Sequence, residues 1–279
     1  MKKIIKTTMI LIFSAALLAC SGPGTDPSGD NQATETPDLQ SSEPATETVS
    51  TTAGLADNGF SIADYIPLYE NAVYVYEIQS EDTSFDTIEY KVKLDFVKVL
   101  EDVTAAQFTR FNDDYTLFSY VLLYEDDNIH SLRTSFESED ELTSAAIEGA
   151  KEQYACYSLM NQPVSRPHRW ENWYTRPTYE GDTEQLRNWM TVSEIVNPVV
   201  PVDSLLGPME ALEVVEYQEE QTYDKCYYVP QIGLIRTDAV LDENTVTGSD
   251  VLIRIENFNH EFEGRYYETL NLHSSMLTN

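Results

Sequence analysis

Arginine and aromatic side chains are concentrated in one short segment of an otherwise acidic chain. Residues 166–179 contain three arginines, two tryptophans and two tyrosines. These residue types dominate binding hot spots, and stacked rings with arginine can hold sugar rings or acidic groups. The segment therefore predicts a ligand-binding site, although the same side chains could equally be strand core with arginines that neutralise neighbouring carboxylates. The candidate site residues are Arg166, Arg169, Trp170, Trp173, Tyr174 and Arg176.

The sequence lacks the motifs of covalent and metal-assisted catalysis. It contains no G-x-S-x-G nucleophile elbow, and no cysteine has a histidine close by in the sequence. His260 begins a stretch like a zinc-protease motif but lacks its partner histidine four residues later. Asp126–Glu137 has the acidic pattern of a calcium loop, but Ser131 stands where the turn needs glycine. We therefore predict a protein that is not an enzyme and has no metal ion or other cofactor.

The two cysteines beyond residue 20, Cys156 and Cys226, leave two arrangements open. Disulfides persist outside the cytoplasm, and both cysteines lie in segments whose residues favour strands. A cross-strand disulfide and two independent buried thiols fit these segments equally well.

The first twenty residues have the order of a secretion signal. Three lysines precede the apolar run Leu11–Ala19, which ends at Cys20 and is well short of the ~20 residues that span a bilayer. Leu17–Cys20 resembles the lipobox of bacterial lipoproteins. This resemblance implies cleavage before Cys20, a diacylglycerol on its sulfur and acylation of the new amino terminus by a fatty acid such as palmitate. It predicts a chain anchored by lipid at the extracytoplasmic face of the cell membrane.

The charge of the chain argues against nucleic acid as a partner. There are 48 acidic and 17 basic residues, and three of the basic residues but none of the acidic ones precede Cys20. Nucleic-acid binding needs a basic footprint, whereas this field repels phosphate backbones and anionic lipid headgroups. The partners that remain open are the membrane, through the lipid on Cys20, and an envelope protein, a glycan or an apolar ligand.

Composition divides the chain into three parts, of which residues 1–20 are the signal peptide. Residues 21–58 are rich in serine, threonine, proline and acidic residues and hold few large aliphatic side chains. Such a segment cannot bury a core, so it predicts a disordered tether. Residues 59–279 are rich in tyrosine and valine and predict one β-rich extracytoplasmic domain.

Alternation of polar and apolar residues predicts strands throughout this domain, most clearly at Ala72–Ile78 and Ile88–Val97. Pro230–Gly233 has the turn chemistry of a hairpin, and the one helix candidate is Glu139–Lys151, which Ser138 could cap. We therefore predict a mainly β fold: a strongly bent, half-barrel-like antiparallel sheet with one short helix on its concave side. The other predicted strands are Tyr115–Tyr124, Ile129–Phe136, Tyr154–Met160, Trp189–Val196, Ala211–Tyr217, Tyr223–Val229, Gly233–Val240 and Val251–Phe258.

A short internal echo suggests that the sheet has two halves. Pro67–Leu68 precedes Tyr74 by the same spacing at which Pro163–Val164 precedes Trp170. Proline is tolerated at the first residue of a strand, so each phrase could open one half of the sheet with an aromatic anchor. Coincidence is the competing interpretation, because two short matches carry little information.

Several strand and turn phrases resemble a family of uncharacterised cell-envelope lipoproteins from Firmicutes. Its members share a D-Y-[FI]-P-L opening and a Y-Y-x-x-x-x-G-L-[VI]-[KR] close, matched here by Asp64–Leu68 and Tyr227–Arg236. Tyr74–Glu77 and Ala211–Val214 also match. The resemblance implies an envelope location and a β-rich fold, and its motifs hold no catalytic side chain. This chain departs from the family at Ser165–Arg169, where members tend to have Lys-Val-Gly-Thr before a tryptophan.

Taken together, these features predict a membrane-anchored extracytoplasmic lipoprotein whose domain acts as a non-catalytic binding or scaffold module. Two alternatives remain open. The concavity of a bent sheet could carry a lipid or another apolar ligand. The aromatic, arginine-rich segment could instead belong to a carbohydrate-active or carbohydrate-binding wall protein.

Overall fold

A computed structural model describes residues 59–80, 88–113, 115–125, 127–180, 183–217, 223–242 and 245–272, with the backbone alone at 174–180, 183–189 and 242. Cys20 and the tether lie outside these ranges. Fifteen strands and two α-helices fall within the described residues. In chain order they are α1 (Ile62–Tyr65), β1 (Val73–Ser80), β2 (Ile88–Val99), β3 (Thr104–Phe111), β4 (Thr116–Glu125), β5 (Asn128–Leu132), α2 (Ser144–Gln153), β6 (Cys156–Asn161), β7 (His168–Glu180), β8 (Thr183–Ser204), β9 (Gly207–Tyr217), β10 (Tyr223–Val229), β11 (Gly233–Asp242), β12 (Thr245–Glu256), β13 (His260–Phe262), β14 (Arg265–Tyr267) and β15 (Leu270–Asn271).

Two six-stranded meanders form one antiparallel sheet. Strands β1 to β6 pair in sequence order, and β7 to β12 do the same. The meanders join where β1 pairs with β12, and β15 pairs with the end of β12 along the edge opposite β1, beyond the last residue that pairs with β11. The small hairpin of β13 and β14 stands apart. This bent, nearly closed antiparallel sheet confirms the predicted mainly β fold class.

The repeated phrase of the sequence precedes the first strand of each meander. Pro67–Leu68 comes before β1, and Pro163–Val164 comes before β7. The aromatic residues that follow, Tyr74 and Trp170, are both buried in the core that the two meanders share. The topology therefore agrees with the interpretation of two halves, each opened by an aromatic anchor.

Side chains join the two ends of the sheet, where the described residues of β6 and β7 form no backbone ladder. The Oδ1 atom of Asn172 accepts a hydrogen bond from the Ser158 N–H at 2.9 Å, and its Nδ2 donates to the Ser158 carbonyl at 3.0 Å. The Trp170 indole donates to the same carbonyl at 3.1 Å. The Asn172 side chain thus pairs with the Ser158 backbone in the way that a residue of a neighbouring strand would. We call this junction between β6 and β7 the seam.

Helix α2 packs on the convex face of the sheet, which corrects its predicted position on the concave side. Side chains alternate between the faces of a strand, so β3 and β4 contribute to two separate cores. Ala106 and Leu122 belong to the core inside the sheet, shared by both meanders. Their neighbours form a second core against the helix, made of Ala105, Val121, Leu123, Leu132, Leu142, Ile147 and Ala150.

The boundaries of the predicted helix were wrong at its start. Glu139–Glu141 forms a 3-10 turn, and the α-helix begins at Ser144. Thr143 is the residue before the first turn, and its hydroxyl accepts a hydrogen bond from the Ala146 N–H. The acidic run at 139–141 suited either form of helix, and the sequence did not distinguish them.

One turn and one strand show where the sequence patterns succeed and where they fail. The hairpin at Pro230–Gly233 is confirmed, and Gly233 there has a φ of 103°, which glycine adopts without strain. Strand β3 was not predicted, because both of its faces are covered and its residues therefore do not alternate.

Candidate functional site

Strand β7 divides the predicted binding segment between the two faces of the sheet. Trp170 is buried on the inner face, whereas Arg169 and Trp173 lie on the outer face and are exposed. Arg166 lies in the exposed turn before the strand. Tyr174 and Arg176 continue β7, but their side chains lie outside the described part of the structure. The segment is therefore not one cluster, because residues at odd and even positions of a strand point in opposite directions.

Trp170 has a structural role at the seam. It is 9% exposed, its indole N–H donates to the Ser158 carbonyl, and its ring lies 5.2 Å from that of His168. A tryptophan that is buried with its polar atom satisfied packs the core rather than presenting a ring to a ligand. Among the predicted site residues whose side chains are described, Arg166, Arg169 and Trp173 remain accessible.

A row of rings and cations crosses the outer face from β7 to β10. The Arg169 guanidinium carbon lies 5.6 Å from the centre of the Tyr217 ring, and the Lys225 ammonium lies 5.7 Å from the Tyr223 ring. The two tyrosine rings are 5.8 Å apart. We call Arg169, Tyr217, Tyr223 and Lys225 the outer ladder. Each cation lies within the ~6 Å at which a ring attracts a positive charge.

Strand register brings the outer ladder together. Tyr217 ends β9 and Tyr223 begins β10, and the two residues are direct partners across this hairpin. Arg169 reaches Tyr217 across β8, where its own partner is Glu194. Sequence reasoning missed both tyrosines and Lys225. The signal was present, since the predicted strands Ala211–Tyr217 and Tyr223–Val229 place the two tyrosines opposite each other if they form a hairpin.

Trp173 and Met190 extend the apolar surface beside the outer ladder. They are direct cross-strand partners on β7 and β8 and are 66% and 45% exposed. The Trp173 indole donates to the Glu171 carboxylate at 3.3 Å, which holds the ring against its own strand. Exposed tryptophan, methionine and arginine are enriched at binding surfaces. We call this pair together with the outer ladder the outer aromatic face.

The chemistry of this face is suited to binding. The Tyr217 hydroxyl donates to Glu194 at 3.4 Å. Partial burial raises the pKa of Tyr217, and the Glu194 carboxylate raises it further, whereas Arg169 opposes them. The phenol therefore stays protonated and polar at neutral pH. Rings that can stack beside groups that donate hydrogen bonds make a surface that holds a ligand without reacting with it.

A strongly perturbed carboxyl group lies inside the second meander, away from the outer aromatic face. Glu216 of β9 and Asp224 of β10 are direct partners on the inner face, and both are buried. Burial raises the pKa of Glu216 to about 8, and the neighbouring Asp224 adds to the rise. Perturbed carboxyls often mark active sites. This pair is 8% and 4% exposed, so it has little access to a substrate.

The two thiols are free and belong to different cores. Cys156 packs against the convex core beside α2, and Cys226 is buried in the inner core. Burial raises the pKa of the Cys156 thiol to about 11, which makes it a poor nucleophile at neutral pH. Of the two arrangements left open by the sequence, the structure has two independent thiols.

The described ranges contain neither a cluster of metal ligands nor a helix that could span a bilayer. No group of three or more histidine, cysteine or acidic side chains there could hold a metal ion. No helix within those ranges is long and apolar enough to cross a bilayer.

A cleft of about 550 Å³ lies over β10 to β12, beside the turn between β8 and β9. Its size matches small-molecule sites, which run from roughly 300 to 1,000 Å³. Two charged groups on its wall, Arg236 and Asp238, are paired with each other. The Asp238 carboxylate accepts hydrogen bonds from Arg236 at 2.7 Å and from Ser249 at 2.6 Å. This pairing leaves the Arg236 and Asp238 side chains less available to a ligand in the cleft.

No protein-family model matches the chain, and no curated protein matches it. One similar solved structure is a candidate exported protein with a YmcC-like fold from Bacteroides fragilis, at 15% identity and a TM-score of 0.36, covering 68% of this chain and 97% of that one. Another is a candidate lipoprotein from Parabacteroides distasonis, at 11% identity and a TM-score of 0.35, covering 67% of this chain and 96% of that one. At these scores the likeness carries no function to this chain.

Proposed function

We propose that this chain is a membrane-anchored extracytoplasmic lipoprotein that binds polysaccharide of the cell envelope through its outer aromatic face, without catalysis. The observation that carries the proposal is the outer ladder, in which cation, ring, ring and cation follow one another at spacings of 5.6, 5.8 and 5.7 Å. Trp173 adds an exposed ring beside it.

The chemistry of the face favours a sugar over the other envelope ligands. Sugar rings present C–H groups that stack on aromatic faces, while their hydroxyls accept hydrogen bonds from guanidinium, ammonium and phenol groups. The chain carries 48 acidic residues against 17 basic ones, and this field repels anionic partners at long range. A neutral polysaccharide has no charge for the field to repel.

The lipobox supports the membrane anchor in this proposal. Cys20 lies outside the described residues, and the support for the anchor is the apolar run and the small residue before the cysteine. Cells fed labelled palmitate should incorporate the label into the wild-type chain. The labelled chain should be found in the membrane fraction. Cys20→Ser should lose both the label and the membrane retention, and unchanged retention would contradict the anchor.

Affinity electrophoresis tests the binding. The mature chain is run in native gels with and without soluble envelope polysaccharide, and we expect the polysaccharide to retard it. The Trp173→Ala/Tyr223→Ala variant should migrate as if no polysaccharide were present. Tyr266→Ala is the matched control, since it removes a ring that is 60% exposed on β14 and outside the face.

Two outcomes would overturn the glycan proposal. Wild-type chain that runs equally fast in both gels does not bind the polysaccharide. Retardation that persists in the double variant would place the contact elsewhere. Loss of retardation in Tyr266→Ala as well would point to a general change in the fold, which circular dichroism of the three proteins would reveal.

A further inference from the structure

The cleft over β10 to β12 is continuous with the outer aromatic face. Side chains two residues apart on a strand share a face, and in β10 the partly exposed positions Tyr223, Lys225 and Tyr227 alternate with buried ones. The first two belong to the outer ladder, and Tyr227 lines the cleft. The Cα atoms of Lys225 and Tyr227 are roughly 6.8 Å apart, the length of two extended residues. One ligand can therefore contact the ladder and enter the cleft.

Strand register supplies a second link between the two surfaces. Lys225, which ends the outer ladder, is the direct partner of Asp238, which lines the cleft. Tyr227 is the partner of Arg236 on β11, and Arg236 is the partner of Val251 on β12. Tyr227, Arg236 and Val251 all line the cleft. We call these three residues the cleft row. With neighbouring strands about 4.8 Å apart, it is roughly 10 Å long.

The cleft row presents a hydrogen-bond donor between two apolar groups, and each of them is accessible. Tyr227 and Val251 are half-buried, and the Arg236 side chain is 45% exposed. The bond from Arg236 Nε to Asp238 at 2.7 Å fixes the guanidinium, and its Nη2 lies 3.5 Å from the Ser249 hydroxyl. A guanidinium has five N–H donors, so this pairing still leaves donors for a ligand.

The charges of the cleft favour a neutral acceptor. Asp238 balances the charge of Arg236, and Asp203 adds an exposed carboxylate to the wall. A carboxylate on a ligand would be repelled by both acids and by the field of the whole chain. The carbonyl oxygen of an amide accepts hydrogen bonds from a guanidinium without carrying a charge.

From these observations, and resting on the polysaccharide site proposed for the outer face, we infer that the cleft is a specificity subsite for an N-acetyl sugar of the same polysaccharide. The acetamido carbonyl oxygen accepts from Arg236, the methyl group packs on Val251, and the sugar ring lies on Tyr227. The volume of about 550 Å³ is within the range of roughly 300 to 1,000 Å³ for small-molecule sites. The ligand class is thus a neutral polysaccharide with N-acetylated sugars.

Two forms of one polysaccharide test the inference. Soluble envelope polysaccharide is de-N-acetylated with alkali, and its amines are then either re-acetylated or formylated. Both products are neutral amides, and they differ by one methyl group at each amine. Affinity electrophoresis of the mature chain over a series of polysaccharide concentrations gives a dissociation constant for each form. We expect the N-acetyl form to bind about fourfold more tightly, because its methyl group is buried on binding.

A valine variant tests where the methyl group is held. Val251→Thr replaces a methyl group of the cleft row by a hydroxyl, and should bring the two dissociation constants to within about twofold of each other. Val246→Thr is the matched control, since Val246 is a half-buried valine on the same strand and outside the cleft. This control should keep the wild-type preference.

An arginine variant tests the donor. Arg236→Lys keeps a positive charge beside Asp238 but loses the planar set of donors, so both forms should bind about fivefold more weakly. Arg254→Lys is the matched control on β12, where Arg254 pairs with Glu256 and Glu89 outside the cleft. It should bind both forms as the wild-type chain does.

The outcomes separate this inference from the proposed function. If neither the untreated polysaccharide nor its two derivatives retard the wild-type chain, the proposed function fails and the inference fails with it. If both derivatives bind equally, or the untreated polysaccharide alone binds, polysaccharide binding stands and the N-acetyl subsite is overturned. A wild-type preference in Val251→Thr, its loss in Val246→Thr, or equal effects of Arg236→Lys and Arg254→Lys would also overturn the subsite.

Discussion

The two meanders bury opposite kinds of side chain. The first lines its interior with aromatic rings, among them Tyr76 and Tyr90, whose centres are 5.1 Å apart. The second buries the carboxyl groups of Glu216 and Asp224 on the same inner face and carries Tyr217 and Tyr223 outside, while its Tyr228 is buried in the inner core. Neighbouring residues of a strand point to opposite faces. Tyr217 therefore points outward where the adjacent Glu216 points inward.

This difference bears on function. A sheet selected only for stability would place its rings inside in both halves, because buried apolar area stabilises the fold and buried carboxyls do not. Departures from such rules are expected at functional sites. The first meander departs from the rule at Arg110, which is buried beside Asp250, and the second departs from it at Glu216 and along the outer ladder. The outer ladder is the departure that coincides with the proposed polysaccharide site.

The largest effect is expected where the two meanders meet. Arg110 of β3 lies 3.7 Å from the Asp250 carboxylate of β12 and stacks 3.4 Å from the centre of the Tyr90 ring. Arg110→Met removes the cation and leaves the carboxylate buried, so the free energy of unfolding should fall by about 4 kcal/mol. Urea unfolding measures it. The double variant Arg110→Met/Asp250→Leu should recover most of the loss, and a double variant as unstable as the single one would contradict the pairing.

The next largest effect is expected at the buried carboxyl pair of the second meander, which has no counterpart among the buried rings of the first. The pKa of Glu216 rises from 4.5 to about 8 through burial and the charge of Asp224. Between these values the folded protein keeps a proton that the unfolded chain releases. The stabilising contribution is therefore complete below pH 4.5 and is lost as the pH rises through 8.

Glu216→Gln removes this titration. We expect the variant to gain about 3 kcal/mol of unfolding free energy relative to wild type between pH 4.5 and 7. Denaturant unfolding at a series of pH values gives the comparison. Glu210→Gln, an exposed change on the same strand, should follow wild type at every pH. A Glu216→Gln curve parallel to wild type would show that the carboxyl is not perturbed.

A smaller effect is expected at the seam between β6 and β7. Asn172→Ala removes the side chain that pairs with both the N–H and the carbonyl of Ser158. The Trp170 indole still reaches the carbonyl, but the N–H is left unpaired. The cost should be about 2 kcal/mol, measured by thermal and chemical unfolding. Glu171→Ala, at the exposed neighbouring position, should cost less than about 0.5 kcal/mol. Equal costs would mean that the seam does not hold the sheet.

Alternation in the sequence was enough to predict the bent antiparallel sheet and most of its strands. It failed for β3, where Ala105 and Ala106 point to different cores and both are fully buried. The same limit explains the misplaced helix. A pattern of period two says that two faces differ, but it does not say which of them is concave.

The site was only partly predictable, because contacts across a sheet depend on register. Arg169 was recognised from its aromatic neighbours in sequence, yet the ring that it contacts is Tyr217, on the second strand away. Trp170 was grouped with Arg169 by proximity along the chain, and strand geometry sent it to the opposite face. Local composition thus located the right strand and could not assign its faces.

The smallest effect on stability is expected at Trp173, and this makes it informative about β7. Trp173 is 66% exposed, so Trp173→Ala should change the free energy of unfolding by less than about 0.5 kcal/mol. Trp170→Ala, three residues earlier, removes a buried ring and the indole bond to Ser158, and should cost about 3 kcal/mol. Denaturant unfolding of the two variants measures the contrast. If Trp173→Ala leaves stability unchanged but abolishes polysaccharide binding, the Trp173 ring contacts the ligand. If the two variants lose equal stability, both rings are structural, and the physical reason for a site on the outer face is removed.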